Sequence, residues 1–170
     1  MKTNLKKTNL LLLLIVGFSL SVNAQARKKA DTQTVQWRYE LECVSTGAAG
    51  SYLVKVWSYS KKADVALDQA KKNAVHGIVF QGFTGAGAGC TQKPLTNNPA
   101  LEQEKETFFK EFFADGGKYM KFVSNSGDGN KEVVKVGKEY KVGVVVSVSK
   151  DLLRKDLEAA GIIKGLSSGF

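Results

Sequence analysis

Strand-like alternation is strongest in Tyr140-Lys-Val-Gly-Val-Val-Val-Ser-Val-Ser149, which is followed at once by Lys150-Asp-Leu-Leu-Arg-Lys-Asp-Leu-Glu-Ala-Ala-Gly161. In the first segment the apolar side chains occupy every second position: Tyr140, Val142, Val144, Val146 and Val148. A period of two places them on one face of a β-strand, and Val145 indicates that the other face is partly covered. We therefore predict the central strand of a sheet over 140–149. The helix after it is predicted to bury three leucines: Leu152, Leu153 and Leu157.

The N-terminus has the order of features typical of a secretory signal peptide. Lysines at positions 2, 6 and 7 precede an apolar run over 10–16. Val22-Asn23-Ala24 then supplies small residues for cleavage, and Ala24-Gln25-Ala26 is a close competitor. The run is shorter than the roughly 20 apolar residues that a membrane helix needs. We predict a signal peptide over 1–24, a polar tail over 25–34 and no stable membrane span after cleavage. An uncleaved N-terminal anchor is the alternative.

The chain is basic, with 25 Lys and Arg against 16 Asp and Glu and a formal net charge of +9. Basic cytoplasmic proteins often bind nucleic acid, but export to the periplasm or to the medium argues against that class of partner. Another envelope protein or an anionic surface polymer is then the expected partner. Because the basic residues are dispersed along the chain, a solvated surface is the plainer interpretation of the charge.

Two alternating segments predict an antiparallel hairpin. The first strand spans 35–44 and turns one set of side chains inward: Val35, Trp37, Tyr39, Leu41 and Cys43. The second strand spans 52–59, and its less regular pattern suggests contacts on both faces. Because the first strand's aromatic residues belong to the core side, Trp57 and Tyr59 remain as a candidate aromatic surface.

The remaining elements complete one domain. Small and apolar residues at helical spacing predict a helix from Ala63 through Ile78, and Asn98-Pro99 predicts the start of a second. The second helix carries Leu101 and an aromatic stripe: Phe108, Phe109, Phe112 and Phe113. Strands are predicted over 119–123 and 131–136, with a tight turn at Gly137-Lys138. The order predicts a single α+β domain over 35–161, with a mainly antiparallel sheet of about five strands and helices on one face. A C-terminal tail covers 162–170.

Cys43 and Cys90 are the only cysteines of the chain. In an exported protein they are expected to form a disulfide, which joins the end of the first strand to a glycine-rich loop. Two unpaired thiols are the alternative, since the sequence does not show whether the two Cα atoms come close enough. A redox-active pair is not expected, because no Cys-x-x-Cys motif is present.

The stretch over 81–95 is rich in glycine, and we expect a surface loop without regular structure. It lacks the flanking strand and helix of a phosphate-binding loop. Because long loops are often functional, it is kept as a candidate binding loop with these residues: Gly82, Phe83, Gly85, Gly87 and Gly89.

No constellation of catalytic residues or metal ligands emerges, and we expect neither an enzyme nor a bound metal or cofactor. The single histidine, His76, lies off the apolar line of the first helix and is predicted to be a satisfied surface residue. One histidine makes a histidine-bearing triad or a multi-histidine metal site difficult to build.

A resemblance to known proteins rests on two segments, Ala63-Asp-Val-Ala-Leu-Asp-Gln-Ala-Lys-Lys-Asn-Ala74 and Tyr140-Lys-Val-Gly-Val-Val-Val-Ser-Val-Ser-Lys-Asp-Leu-Leu153. Together they resemble the small exported domains of certain outer-membrane lipoproteins and of the N-terminus of the flagellar T-ring assembly protein. The resemblance implies a compact α+β domain that acts in assembly or binding, without catalysis. The chain departs from it by lacking a lipidation cysteine and by inserting residues 81–113.

The expected function is therefore that of an exported, non-enzymatic cell-envelope protein that binds another protein or a surface polymer. A small glycan- or ligand-binding protein that uses the hairpin aromatics is the alternative. An enzyme of unknown class comes third, because the sequence offers no nucleophile with a base beside it.

Overall fold

An antiparallel sheet of five strands forms one layer of the structure, and helices cover one of its faces. The computed structural model describes residues 32, 36–48, 50–85, 89–126 and 131–165; the predicted signal peptide lies outside them. The strands of the sheet are β1 (Tyr39–Thr46), β2 (Ser51–Ser60), β5 (Val123–Asn125), β6 (Lys131–Val136) and β7 (Glu139–Ser149). Their spatial order is β1, β2, β7, with β5 and β6 both pairing with β7. The predicted α+β class and antiparallel five-stranded sheet are confirmed.

The helices follow in chain order around this sheet. They are α1 (Ala63–Phe80), α2 (Leu101–Glu104), α3 (Glu106–Phe112), a 3-10 helix (Lys118–Phe122) and α4 (Lys150–Ala159). Within the glycine-rich stretch, β3 (Phe83–Thr84) and β4 (Thr91–Gln92) pair with each other and form a small separate sheet. Among the described residues, no helix is both long enough and apolar enough to cross a bilayer.

β7 is the central strand, as its alternation predicts. It pairs with β2 along ten positions, from Ser51 opposite Ser149 to Ser60 opposite Tyr140. Val142, Val146 and Val148 are fully buried. A strand that is paired on both sides and buried on one face must match its neighbours in register, so β7 fixes the arrangement of the sheet.

The main core forms where the buried valines of β2 and β7 meet α1. The helix presents small side chains there, and Ala70, Ala74 and Ile78 have almost no exposed surface. Small side chains let the helix axis approach the sheet closely. A second part of the core is aromatic and comes from α3, the 3-10 helix and their junction: Phe109, Phe112, Phe113, Tyr119 and Phe122.

The first strand is shorter at its start than predicted. Trp37 has a positive φ of 46°, which lies outside the β region, and it forms a turn with Gln36. The strand therefore begins at Tyr39 rather than at Val35, which lies outside the described residues. At its other end β1 continues to Thr46 and has a bulge between Cys43 and Ser45.

Other boundaries also differ from the sequence prediction. The aromatic helix is broken at Lys105, whose φ of −114° and ψ of 33° are not helical. The segment predicted as a strand over 119–123 is mostly the 3-10 helix, in which Tyr119 and Phe122, three residues apart, are both buried. In α4, Leu153 and Leu157 are buried, but Leu152 is 57% exposed because it lies on the neighbouring helix face.

Candidate functional site

We call the side of the sheet that carries Glu40, Trp57, Tyr59 and Lys141 the outer face. In the register, Glu40 lies opposite Trp57, Trp57 opposite Gly143, and Tyr59 opposite Lys141. The side chains of the neighbouring positions, such as Val54 and Val56, point instead to the buried side below α1. The predicted aromatic residues therefore lie together on the side of the sheet away from the helical layer.

The indole ring of Trp57 lies directly over Gly143. A β-carbon at position 143 would come within 2.7–2.9 Å of three ring atoms, so only glycine leaves room for this packing. The ring nitrogen donates a hydrogen bond to Glu42 Oε1 at 2.9 Å. The ammonium groups of Lys55 and Lys141 lie 4.5 Å and 4.9 Å from the ring centre, within cation–π range. The ring is thus held in one orientation.

Ion pairs surround these rings on the outer face. Arg38 donates two hydrogen bonds to Glu139, at 3.1 Å and 2.8 Å, in the bidentate arrangement that arginine favours. Glu40 accepts hydrogen bonds from the Tyr59 hydroxyl and, at 2.7 Å, from Lys141 Nζ. A third pair, between Lys55 and Glu132, has a separation of 2.5 Å.

These contacts keep the charges of the outer face fixed near neutral pH. The hydrogen bond from Lys141, followed by that from Tyr59, lowers the pKa of Glu40, and the same carboxylate raises the pKa of Lys141. Likewise Arg38 lowers the pKa of Glu139. The outer face therefore presents alternating positive and negative groups around two aromatic rings, with each cation next to a carboxylate.

The cysteines form the predicted disulfide, with 5.5 Å between the Cα atoms of Cys43 and Cys90. Of the candidate loop residues, Phe83 is buried and packs edge-to-face on Tyr52, with 5.2 Å between ring centres. Gly82 is also buried, and a β-carbon at Gly85 would come 3.0 Å from the β-carbon of each cysteine. Gly89 is exposed, and Gly87 lies outside the described residues. The described part of the loop is thus pinned to the hairpin, and Phe83 does not offer its ring to a ligand.

His76 is not a surface residue, contrary to the prediction: it is only 4% exposed. Its Nδ1 lies 2.6 Å from the Tyr39 hydroxyl and its Nε2 lies 3.2 Å from Glu102 Oε2. Trp37 stacks on the imidazole, with 3.5 Å between ring centres, and donates a hydrogen bond from Nε1 to Glu102 Oε1 at 2.8 Å. The sequence feature that could have indicated this burial is the aromatic stripe predicted on the second helix. One residue of that stripe, Phe113, contacts the histidine ring.

Hydrogen bonds link Tyr39 to His76 and His76 to Glu102, an order of groups similar to that of a catalytic relay. Burial, followed by the charge of Glu102, raises the pKa of Tyr39, which is opposite to the activation of a nucleophile. Burial also lowers the pKa of His76 despite the opposing effect of Glu102. A neutral imidazole that accepts from Tyr39 and donates to Glu102 satisfies both contacts. The hydrogen bonds of this cluster join the start of β1 to α1 and α2.

We expect this network to make stability depend on pH. Because the folded pKa of His76 lies below the value of about 6.5 expected for an unfolded chain, the protein is stabilised above that pH and loses stability as the pH falls through it. As this is the only histidine, denaturant unfolding between pH 7.5 and pH 5.5 isolates the effect. His76→Gln should show a flatter pH dependence. An equal slope in both proteins would contradict the buried, neutral histidine.

Comparison with models of protein families, with curated proteins and with solved structures finds no significant match. In the part of the chain that the structure describes, no group of three or more His, Cys, Asp or Glu side chains is placed to hold a metal ion. The outer face is a candidate binding site because its aromatic rings and ion pairs are held by the contacts described above.

Proposed function

We propose that this protein is an exported, non-catalytic binding module of the cell envelope that uses its outer face to bind a partner protein. The observation that carries the proposal is the indole ring of Trp57, which is fixed over Gly143 beside three ion pairs. Binding surfaces gain affinity when their side chains are ordered before the partner arrives. Tryptophan, tyrosine and arginine are also the residues that most often dominate the energetics of protein interfaces.

The charge pattern favours a protein over an anionic polymer. The three cations nearest the rings, Arg38, Lys55 and Lys141, each already form an ion pair with a glutamate. A uniform polyanion would have to compete with these carboxylates and would meet them as like charges. A folded partner can instead present alternating charges that match the pattern, which is how charged interfaces achieve specificity.

Two further features support the envelope as the compartment. The sequence over 1–24 has the pattern typical of a secretory signal peptide, and the Cys43–Cys90 disulfide is the state expected of a protein in an oxidising compartment. The resemblance to exported assembly domains points to the same kind of role.

Glycan binding is the second candidate, because a flat indole on a sheet surface can stack on a sugar ring. Against it, the ammonium groups of Lys55 and Lys141 already lie over the Trp57 ring. A sugar would have to displace both groups before it could stack. This requirement makes glycan binding the weaker proposal.

Trp57→Ala should reduce the capture of the partner from an envelope extract by roughly 30-fold or more, as expected for an interface hot spot. Gly143→Ala keeps the ring but displaces it, and should also weaken capture. Leu152→Ala is the matched control, because it removes a more exposed apolar side chain on α4. Capture should be measured with the immobilised, oxidised protein, and the fold of each variant should be checked by circular dichroism.

Pretreatment of the extract separates the two candidates. Protease treatment should abolish capture by the wild-type protein. If capture survives protease but is lost after glycan digestion, the second candidate is correct. Undiminished capture by folded Trp57→Ala would contradict both candidates.

A further inference from the structure

β6 is an edge strand with an open outer side. It pairs with β7 from Lys131 opposite Val144 to Val136 opposite Glu139, and no other described strand pairs with it. All six of its residues are exposed, and three of them are valines that are 46–49% exposed: Val133, Val134 and Val136. In an antiparallel pair, alternate residues of the outer strand direct their N–H and C=O groups away from the partner. These groups are available to another strand.

The opposite edge of the sheet, formed by β1, does not offer open backbone N–H and C=O groups in the same way. β1 has a bulge between Cys43 and Ser45, and the disulfide and β3 lie against it. Bulges and covering segments are the usual means by which proteins prevent unwanted pairing at an edge. The register of β6 with β7 is unbroken, and nothing in the described part of the chain covers its outer side. The two edges therefore differ, and β6 is the one that can accept a strand.

The charges of β6 indicate what kind of strand it accepts. Lys131 and Lys135 flank Val133 on one face, and neither lysine forms an ion pair with a described residue. On the other face, Glu132 is already paired with Lys55. Both charged side chains on this face of β6 are therefore lysines without an ion pair to a described residue, and the two residues lie about 13 Å apart along the strand.

A cavity of about 530 Å³ lies beside the start of β6. Its wall includes Lys131 and Val144, which are opposite each other in the register, together with Lys71 from α1 and the half-exposed Met120 from the 3-10 helix. The cavity thus adjoins the same face that carries the free lysines. A strand added to β6 could place one side chain there.

We propose that β6 binds an extended, acidic segment of a partner protein by adding it to the sheet as a sixth strand. The segment has the pattern acidic–x–aliphatic–x–acidic, so that its carboxylates lie opposite Lys131 and Lys135 and its aliphatic residue lies beside Val133. Backbone hydrogen bonds supply affinity and the alternate side chains supply specificity, as in other cases of strand addition. A second copy of this chain fits less well, because antiparallel pairing centred on Val133 would place Lys131 opposite Lys135 of the other copy.

The test uses the oxidised protein and three synthetic peptides, measured by calorimetry at low ionic strength. The first peptide is Thr-Glu-Thr-Val-Thr-Glu-Thr, the second replaces both glutamates with lysine, and the third is the first with alternate backbone nitrogens methylated. We expect the acidic peptide to bind roughly 5-fold to 30-fold more tightly than the basic one, as two exposed ion pairs allow. Methylation should abolish binding, because it removes backbone donors.

Two variants complete the design. The double variant Lys131→Glu plus Lys135→Glu, at exposed positions, should reverse the preference between the acidic and basic peptides. Trp57→Ala should bind the acidic peptide like the wild type, so that this test and the test of the outer face can fail separately. The proposal would be overturned by no measurable binding, by equal affinity for both charged peptides, by binding that survives methylation, or by a dimer formed through β6 in sedimentation experiments.

Discussion

Val146→Asp should unfold the protein. Val146 is fully buried on the central strand, where it lies opposite Val54 of β2 and Asn125 of β5. An unpaired carboxylate at such a position costs several kcal/mol. This cost is comparable to the 5–15 kcal/mol by which a typical domain is stable. Circular dichroism should show the spectrum of an unfolded chain at 25 °C and no cooperative transition on heating.

Val44→Asp is the matched control, because Val44 lies on β1 of the same sheet but is 50% exposed. It should melt within a few degrees of the wild type, as surface substitutions usually do. Val144 is a poorer test position, although its place in the alternation matches that of Val146, since it is only half-buried beside the cavity. A cooperative melt of Val146→Asp near the wild-type temperature would show that β7 is not the buried centre of the sheet.

Reduction of the disulfide should lower the melting temperature by about 15 °C. Cys43 and Cys90 are 47 residues apart, and the chain-entropy model gives about 4 kcal/mol for closing a loop of that length. For a domain of roughly 130 residues, a loss of that size corresponds to the stated shift. Differential scanning calorimetry with and without reductant measures it directly.

The double variant Cys43→Ala plus Cys90→Ala is the control for reduction. It should melt at the lower temperature whether or not reductant is present. Its backbone near Gly85 and Gly89 should be cut faster by protease, because the bond holds this stretch against β1. Two titratable thiols in native, oxidised protein would contradict the bond.

The elements that the sequence predicts well are those with a single repeating pattern. β7, the hairpin of β1 and β2, β6 with its turn at Gly137, and α4 all have clear periods and ends. In β7, the hairpin and α4 one face meets the core and the other is more exposed, whereas β6 is exposed throughout and is marked by the glycine at its turn. Local pattern and tertiary environment then agree, and the prediction is accurate to a few residues.

The errors on α1 occur because this helix has more than one buried side. α1 meets the sheet along its small residues, but Lys72, Asn73 and His76 are buried as well. A prediction that assumes one buried apolar stripe on the helix places these polar residues on the surface. Lys72 and His76 contact Tyr119 and Phe113, which are distant in the sequence, and Asn73 donates a hydrogen bond to Ser58 of β2. No local pattern shows where such a second layer will pack.

The sequence predicts which hairpin residues lie on the outer face, but it does not predict how their side chains are arranged. Alternation indicates that Glu40 and Glu42 face solvent, and it leaves Trp57 and Tyr59 as candidates. The pairing of Glu40 with Lys141 joins residues that are 101 positions apart, and it depends on the register of three strands. Register is set by the packing of the whole sheet, so the sequence alone does not reveal the fixed ring over Gly143.

Photo-crosslinking in cells tests most directly whether the outer face is the binding surface. A photoreactive phenylalanine analogue should replace Tyr59 in one strain and Leu152 in another, because Leu152 is a more exposed position on α4. We expect a discrete protein adduct from position 59 on irradiation and none from position 152. An adduct from position 152 with none from position 59 would contradict the proposed binding surface.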